Sequence, residues 1–259
     1  MTEFIPVLPA QRLDGRHAIV TGAGRGIGRA AALALAEVGA SLTLFARTGD
    51  DLGEVAREVH DRGSHADTCT GDVRSPDDVR RLVEVASAHD NLSICVTAAG
   101  LNRPGPTLEQ TVDDFDLVVD TNLRGTYLTC RAFAGAVVGQ GHGAQIVAIS
   151  SQMGEVGYPG RAAYCASKHA VNGLVRALAV EWAPLSISVN AVAPTFIDTP
   201  LTRPMFEDAA FKADVLRRLP IGRIGTPSDV VGAIVFLASN QAELVTGHVL
   251  AVDGGWTAW

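Results

Sequence analysis

The sequence predicts an α/β fold on a parallel sheet, and three observations predict it. Short apolar runs alternate with helical patterns almost from end to end, the order in which strands and crossover helices follow one another. A glycine-rich turn, TGAGRGIG from Thr21 to Gly28, stands between the first apolar run and the first helix. No linker, low-complexity tract or internal repeat interrupts the alternation, so the 259 residues read as one domain.

Taken in order, residues 1–14 form an extended lead-in. HAIVTG, His17 to Gly22, is an apolar run closed by glycine and reads as a buried strand. The alanine- and leucine-rich RAAALALAEVGA after the turn is a helix that Gly39 stops. Strand, glycine turn and helix in that order make the phosphate-binding half of a Rossmann-like dinucleotide fold. Gly22 and Gly26 permit a tight turn and close backbone approach, and Gly28 lets the helix pack on the strand. The spacing is G-x-x-x-G-x-G, because Ile27 fills the last glycine position of the stricter G-x-G-x-x-G pattern. SLTLFAR, Ser41 to Arg47, is the second strand. Its end normally carries an acid for the adenosine ribose of NAD, but here Ala46 and Arg47 stand there and no acid occurs before Asp50. A guanidinium grips a 2′-phosphate that a carboxylate would repel, so Arg47, with Arg25 in the glycine turn, favours NADP over NAD. The plainer reading of both arginines is a solvated surface.

Asp51 to Arg62 is an amphipathic helix, ADTCTGDV a third strand ending at Asp72 with Val73 after it, and Pro76 starts another helix. LSICVTAAG, Leu92 to Gly100, is a fourth strand whose small last residues, Ala99 and Gly100, suit a ligand lying close. One long helix is predicted from Val112 to Gly139, with Asn122 in its middle, where asparagine costs propensity and wants a reason. AQIVAISS is the fifth strand and delivers Ser151 to its C-terminal end. A helix from Ala162 to Trp182 and a sixth strand, ISVNAVAP, follow. Residues 195–222, with Pro200, Pro204 and Pro220 around an apolar helical piece, predict a mobile lid over a site. A helix from Pro227 to Ser239 and the strand HVLAVDGG come last. Ligands of such sheets bind beyond the strand C-termini, so the glycine turn, Asp72, Gly100 and Ser151 should line one edge.

Composition narrows the function. A hydrophobic content of 47% supports a full core, and a net charge of −7 argues against a general nucleic-acid binder. No apolar run is long enough to span a bilayer, and MTEFIPVLPA lacks the basic start and apolar block of a signal peptide. Cys69, Cys95, Cys130 and Cys165 form no CxxC pair and read as small buried hydrophobes in a reducing, cytoplasmic compartment. Cys165, beside Tyr164, reads as packing more readily than as a pocket wall. The seven histidines show no metal-ligand spacing, so no metal is expected.

The chemistry concentrates in SQMGEVGYPGRAAYCASK, Ser151 to Lys168. Tyr164 and Lys168 are four apart, so on a helix they share a face. A free phenol titrates near ~10, and an ammonium beside it is expected to lower that value. Such a tyrosine can give a proton to a carbonyl oxygen or take one from an alcohol. A serine from a neighbouring strand end can hold that oxygen. The spacing alone would also fit a surface Tyr–Lys pair; the glycine turn tips the balance.

Six marks in order resemble the short-chain dehydrogenase/reductase family: TGAGRGIG, the GDV at Gly71 to Val73, TNLRG around Asn122, the ISS ending at Ser151, YCASK from Tyr164 to Lys168, and PTFIDT from Pro194 to Thr199. The resemblance runs from about Leu13 to Gly255 and implies a seven-stranded doubly wound sheet with helices on both faces. It implies that Tyr164 is the general acid/base, that Lys168 lowers its pKa and binds the nicotinamide ribose, and that Ser151 hydrogen-bonds the substrate oxygen. Ser151 is preferred to Ser150 because Gly154 falls three after it. Asn122 would hold a water linking Lys168 to solvent. Asp72 resembles the residue that meets the adenine, with Val73 packed beside it, and Ile197 and Thr199, after Pro194, the pair that fixes the nicotinamide amide. The sequence departs from the family at Thr97, usually asparagine, where a local rearrangement is expected, and at Thr195, usually glycine.

The expected function is an NAD(P)(H)-dependent oxidoreductase, NADP(H) preferred and NAD(H) possible, interconverting a secondary alcohol and a ketone by hydride transfer. The alternative is a nucleotide-binding regulator that has lost catalysis; the intact set Asn122, Ser151, Tyr164 and Lys168 argues against it. Gln152, Tyr158 and Phe196 are candidate substrate contacts, with Gln152 equally readable as a rim residue. Polyols, sugars, 3-oxoacyl thioesters and small cyclic ketones all remain open. The resemblance also implies a homotetramer or homodimer, with the Tyr-bearing helix and last strand at interfaces. The apolar C-terminus, with Trp256 and Trp259, fits that reading and ordinary core alike.

Overall fold

Alternation of buried runs and amphipathic helices produces one seven-stranded parallel sheet. The computed structural model describes residues 11–258; most of the expected lead-in and Trp259 lie outside the described residues. The strands are β1 (His17–Thr21), β2 (Ser41–Ala46), β3 (Ala66–Thr70), β4 (Leu92–Thr97), β5 (Ala144–Ile149), β6 (Ile187–Pro194) and β7 (Val249–Val252). Their spatial order, β3-β2-β1-β4-β5-β6-β7, reverses direction at β1 and β4. A crevice must open there, outside the strand C-termini, because successive crossovers leave in opposite directions. Register keeps that edge level: Thr21 stands opposite both Phe45 and Thr97, and Thr97 opposite Ala148.

Helices cover both faces. On one lie α1 (Gly26–Glu37), α2 (Gly49–Asp61) and α8 (Pro227–Ala238), whose Leu35, Val55 and Ile234 join a core with Val20 and Leu44. On the other lie α3 (Pro76–Ala86), α5 (Gly125–Val137) and α6 (Ala162–Trp182), through Leu82, Phe133 and Val175 against Ile19 and Ile146. No helix among the described residues is long and apolar enough to cross a membrane.

One helix and three strands differ from expectation. The helix predicted from Val112 to Gly139 is α4 (Val112–Val119), a π turn over Asp120–Arg124, then α5. Strands β3, β4 and β5 stop at Thr70, Thr97 and Ile149, short of Asp72, Gly100 and Ser151. Those residues leave the ladder and turn into the crevice. Thr97 pairs in the ladder with Thr21 and Ala148, and its Oγ1 is buried without a partner. Residues 195–222 hold a 3-10 turn (Arg203–Glu207) and α7 (Ala209–Arg217). Phe196, Phe206, Phe211 and Val215 of this segment close a third apolar cluster with Met153, Tyr158 and Trp256.

Candidate active site

The glycine turn is shaped by what it must admit. Gly22 has φ +66°, and a Cβ there would fall 2.7 Å from the Ala99 nitrogen. A Cβ on Gly28 would meet the Gly22 carbonyl oxygen at 2.2 Å, so any side chain would push α1 off β1. Gly26, φ +58°, opens α1, and no acid stands in its first turn. Unpaired N–H groups at that helix start, with the positive end of the dipole, suit a pyrophosphate.

Around the turn the cleft takes in Arg25, Ile27, Arg47, Asp72 and Val73, then Ala99 and Gly100, then Pro194, Ile197 and Thr199. Arg25 and Arg47 are exposed and make no ion pair among the described residues, leaving both free for a phosphate. Asp51, from the first turn of α2, also lines the cleft, close to Gly24; counting from the end of β2 did not reveal it. Arg74 holds the Asp72 carboxyl below the usual range through hydrogen bonds of 2.7 and 3.0 Å, with burial opposing. These groups fit a dinucleotide from phosphate cradle to ring pocket.

At the far end of the same cleft stand Ser151, Tyr164 and Lys168. The choice between the serines rests on hydrogen bonds: Ser150 Oγ donates to Asn172 Oδ1 at 2.5 Å, and Asn172 Nδ2 donates to the Gly154 carbonyl at 2.9 Å. Ser150 is therefore committed to the scaffold. Ser151 Oγ accepts only the Met153 N–H, at 3.1 Å, and its hydroxyl interacts with the Tyr164 phenol.

The expectation that Lys168 acidifies Tyr164 needs correction. Burial pushes the phenol up, with the Ser151 hydrogen bond and the Arg161 charge opposing. Lys168, itself 5% exposed, is lowered by burial to about 8; its Nζ donates to the Ile149 carbonyl at 2.7 Å and lies 5.7 Å from the Tyr164 ring centroid. The ammonium is spent on a backbone carbonyl, and desolvation of the phenol outweighs the Ser151 hydrogen bond and the Arg161 charge that oppose it.

Asn122 sits in the π turn behind Gly100 rather than in the cleft lining. Its Oδ1 accepts from Leu101 N at 2.9 Å, and its Nδ2 donates to Leu101 O at 2.9 Å and Ser167 Oγ at 3.0 Å. Both amide hydrogens are used, and the main-chain carbonyl accepts from Thr126 Oγ1 at 2.8 Å, so a relay water would have to donate to an oxygen that already accepts a hydrogen bond.

The candidate substrate residues are placed less uniformly. Phe196 and Tyr158 pack in the third apolar cluster, which Tyr164 and Cys165 also join. The Tyr158 hydroxyl donates to Asp214 Oδ2 at 3.1 Å, so its polar end is taken. Gln152 is 1% exposed, not a rim residue, and neither amide atom has a partner. Sequence reasoning missed Thr121, Leu201 and Thr202, which line the cleft, and Arg161, beside it. It also missed a spatial cluster at the opposite sheet end: His65, Asp67 and His89 place ligand atoms within 4.8 Å of one another. Both histidines bond the Asp67 carboxylate, and His89 stacks on His17 with centroids 4.2 Å apart.

Known proteins resemble this chain over nearly its whole length. A family model described as enoyl-(acyl carrier protein) reductase matches residues 22–257. The 2-dehydro-3-deoxy-D-gluconate 5-dehydrogenase of Escherichia coli (strain K12) is 36% identical over 253 residues, covering 97% of this chain and 99% of its own. The 3-oxoacyl-(acyl-carrier-protein) reductase of Thermotoga maritima is 35% identical over 245 residues, covering 94% and 98%. A crystal structure of a gluconate 5-dehydrogenase from Burkholderia cenocepacia J2315, in complex with NADP and tartrate, matches with a TM-score of 0.91 at 36% identity over 96% of this chain and 98% of that one.

Proposed function

The chain belongs to the short-chain dehydrogenase/reductase family, and on that premise we propose that it is an NADP(H)-dependent oxidoreductase interconverting a secondary alcohol and a ketone. One observation carries the reading: Ser151, Tyr164 and Lys168 line the same cleft as the glycine turn. When bound, the dinucleotide supplies the hydride donor or acceptor. The protein's own groups do the rest. Ser151 Oγ holds the substrate oxygen, and the Tyr164 phenol gives that oxygen a proton in reduction and removes one in oxidation. Because burial raises the phenol, it stays protonated at neutral pH, so the proton for reduction is in place and oxidation must first draw it off. Lys168 anchors on the Ile149 carbonyl, and its remaining N–H groups would hold the nicotinamide ribose. Asn122 positions Leu101 and Ser167 around them.

NADP is favoured over NAD because Arg25 and Arg47 offer unpaired guanidinium groups where a 2′-phosphate would lie. The relatives act, by name, on a sugar acid and on an acyl thioester, so they do not fix one substrate. Residues 195–222 serve as the substrate lid, the chain assembles as a homotetramer, and its buried thiols Cys69, Cys95 and Cys130 suit the cytoplasm.

The test is a carbonyl panel run with NADPH and NADH on wild type, Tyr164→Phe and Arg47→Ala. Tyr164→Phe should lose about 10³-fold in kcat, within the roughly 10²–10⁴-fold that one general acid/base contributes, with NADPH binding kept. Wild-type rates in that variant would sink the assignment. Arg47→Ala should weaken NADPH about 10- to 100-fold and spare NADH, as loss of a charge-assisted contact predicts.

A further inference from the structure

Arg161 is the N-cap residue of α6, three positions before Tyr164. It is 7% exposed. Of its donors, Nη1 reaches the Gly160 carbonyl at 3.1 Å and Nη2 the Met205 sulfur at 3.6 Å, while Nε is buried with no partner. No Asp or Glu among the described residues pairs with it. Asp214, on α7, gives its carboxylate to Tyr158, Arg217 and Arg218 instead. Arginines nearer the surface are otherwise treated: Arg203 holds Asp198 and Arg223 holds Asp229.

A buried guanidinium with a thioether and one carbonyl for partners is far from satisfied. Its position says what would satisfy it. It lies under residues 195–222, with Cζ 5.9 Å from the Phe211 ring centroid, and its charge is felt at the Tyr164 phenol. Arg161 and Tyr164 both stand at the start of α6, so one small molecule can meet both.

We propose that Arg161 is the anion-binding residue of the substrate pocket, and that the substrates are short oxo- and hydroxy-acids. The carboxylate sits in the guanidinium fork while the C–O group a few carbons away meets Tyr164 and Ser151. This rests on Tyr164 as the acid/base. It sets the chain apart from an enzyme for neutral polyols, whose hydroxyls would leave the buried charge unpaired.

The experiment is calorimetric titration of the NADP-loaded enzyme with hydroxy-acids of three to six carbons, D-gluconate included, against the matching neutral polyols. Turnover of 5-oxo-D-gluconate and of D-fructose is measured alongside. At least one acid should bind in preference to its neutral counterpart. Arg161→Met should reduce that preference roughly 100-fold, the scale for truncating one partner of a buried charge pair, and Arg161→Lys should restore part of it. Arg161→Met must still bind NADPH, which controls for folding. If no acid binds, or if Arg161→Met leaves the preference intact, the proposal is overturned. Reduction of neutral ketones without acid binding overturns this inference and leaves the Tyr164 chemistry standing. Arg161-dependent acid binding with no turnover does the reverse.

Discussion

At the scale of single residues, the active site carries a cost to the fold. Lys168 is buried, and desolvation brings its ammonium from 10.5 down to about 8. The folded pKa lies below the unfolded one, so between those values the folded state binds fewer protons. Stability is therefore lost as pH falls from 10.5 through about 8, and below 8 the whole penalty is present. Replacing Lys168 with methionine removes the charge and also its 2.7 Å hydrogen bond to the Ile149 carbonyl. The desolvation relieved is worth about 3 kcal/mol and the bond lost about 1. Lys168→Met should thus unfold at higher urea at pH 7, by roughly 2 kcal/mol, while turnover collapses. That advantage should shrink by pH 9.5; an advantage constant with pH, or absent at pH 7, would show that burial of the ammonium is not the cause. The same residue marks where sequence reading stopped. Four-residue spacing correctly put Lys168 on the Tyr164 side of α6, but burial and the Ile149 carbonyl are tertiary facts, and together they reverse the direction expected for the phenol. Arg161 was illegible for the same reason: nothing local says that an arginine will be covered by Phe211 and Met205.

At the scale of elements, the segments that local pattern specifies were readable. The glycine turn was, because Gly22 and Gly28 leave space only a missing side chain allows. So was α6, whose predicted and observed limits coincide at Ala162 and Trp182. The π turn was not, since its apolar periodicity continues that of the flanking helices; only Asn122 signalled a departure. There the Gly125 N–H reaches the Asp120 carbonyl, five residues back. The widened turn lets Asn122 bridge β4's extension at Leu101 to Ser167 on α6, as π turns at functional sites often do. Gly125 then lets α5 approach Val73, where a Cβ would fall 2.6 Å from Cγ2. Asn122→Ala should strand the Leu101 N–H and carbonyl together and cost roughly 3 kcal/mol in urea unfolding, since each buried group left unpaired costs about 1–3. Turnover should fall with it, because the backbone beside Lys168 loses its brace. A variant as stable as wild type would mean that the π turn holds its shape without the asparagine.

At the scale of the whole molecule, the sheet is asymmetric in how it is finished. Strand β7 is the last of the ladder and only partly covered, with Ala251 exposed. Large apolar side chains gather on neighbouring helices: Val180 of α6 is 80% exposed, and Tyr127 of α5 and Phe115 of α4 more than 40%. A groove lined by Val83, Tyr127, Leu128, Trp182 and Leu185 runs between α3, α5 and α6. Isolated apolar residues on a surface need no explanation, but an apolar groove and an unfinished sheet edge both suit association with further copies. The elements that the family resemblance implies as interfaces are the Tyr-bearing helix, which carries Val180, and the last strand, which is β7. Light scattering should give a particle of about four chain masses. Because α6 carries Tyr164 at one end and the exposed Val180 at the other, an interface along it would brace the site. Val180→Arg, a charge placed on the exposed side of α6, should lower both the particle mass and the unfolding temperature, and should reduce turnover at low protein concentration more than at high. A wild-type particle of one chain mass, or a Val180→Arg enzyme whose activity is independent of concentration, would mean that the exposed face serves something other than assembly.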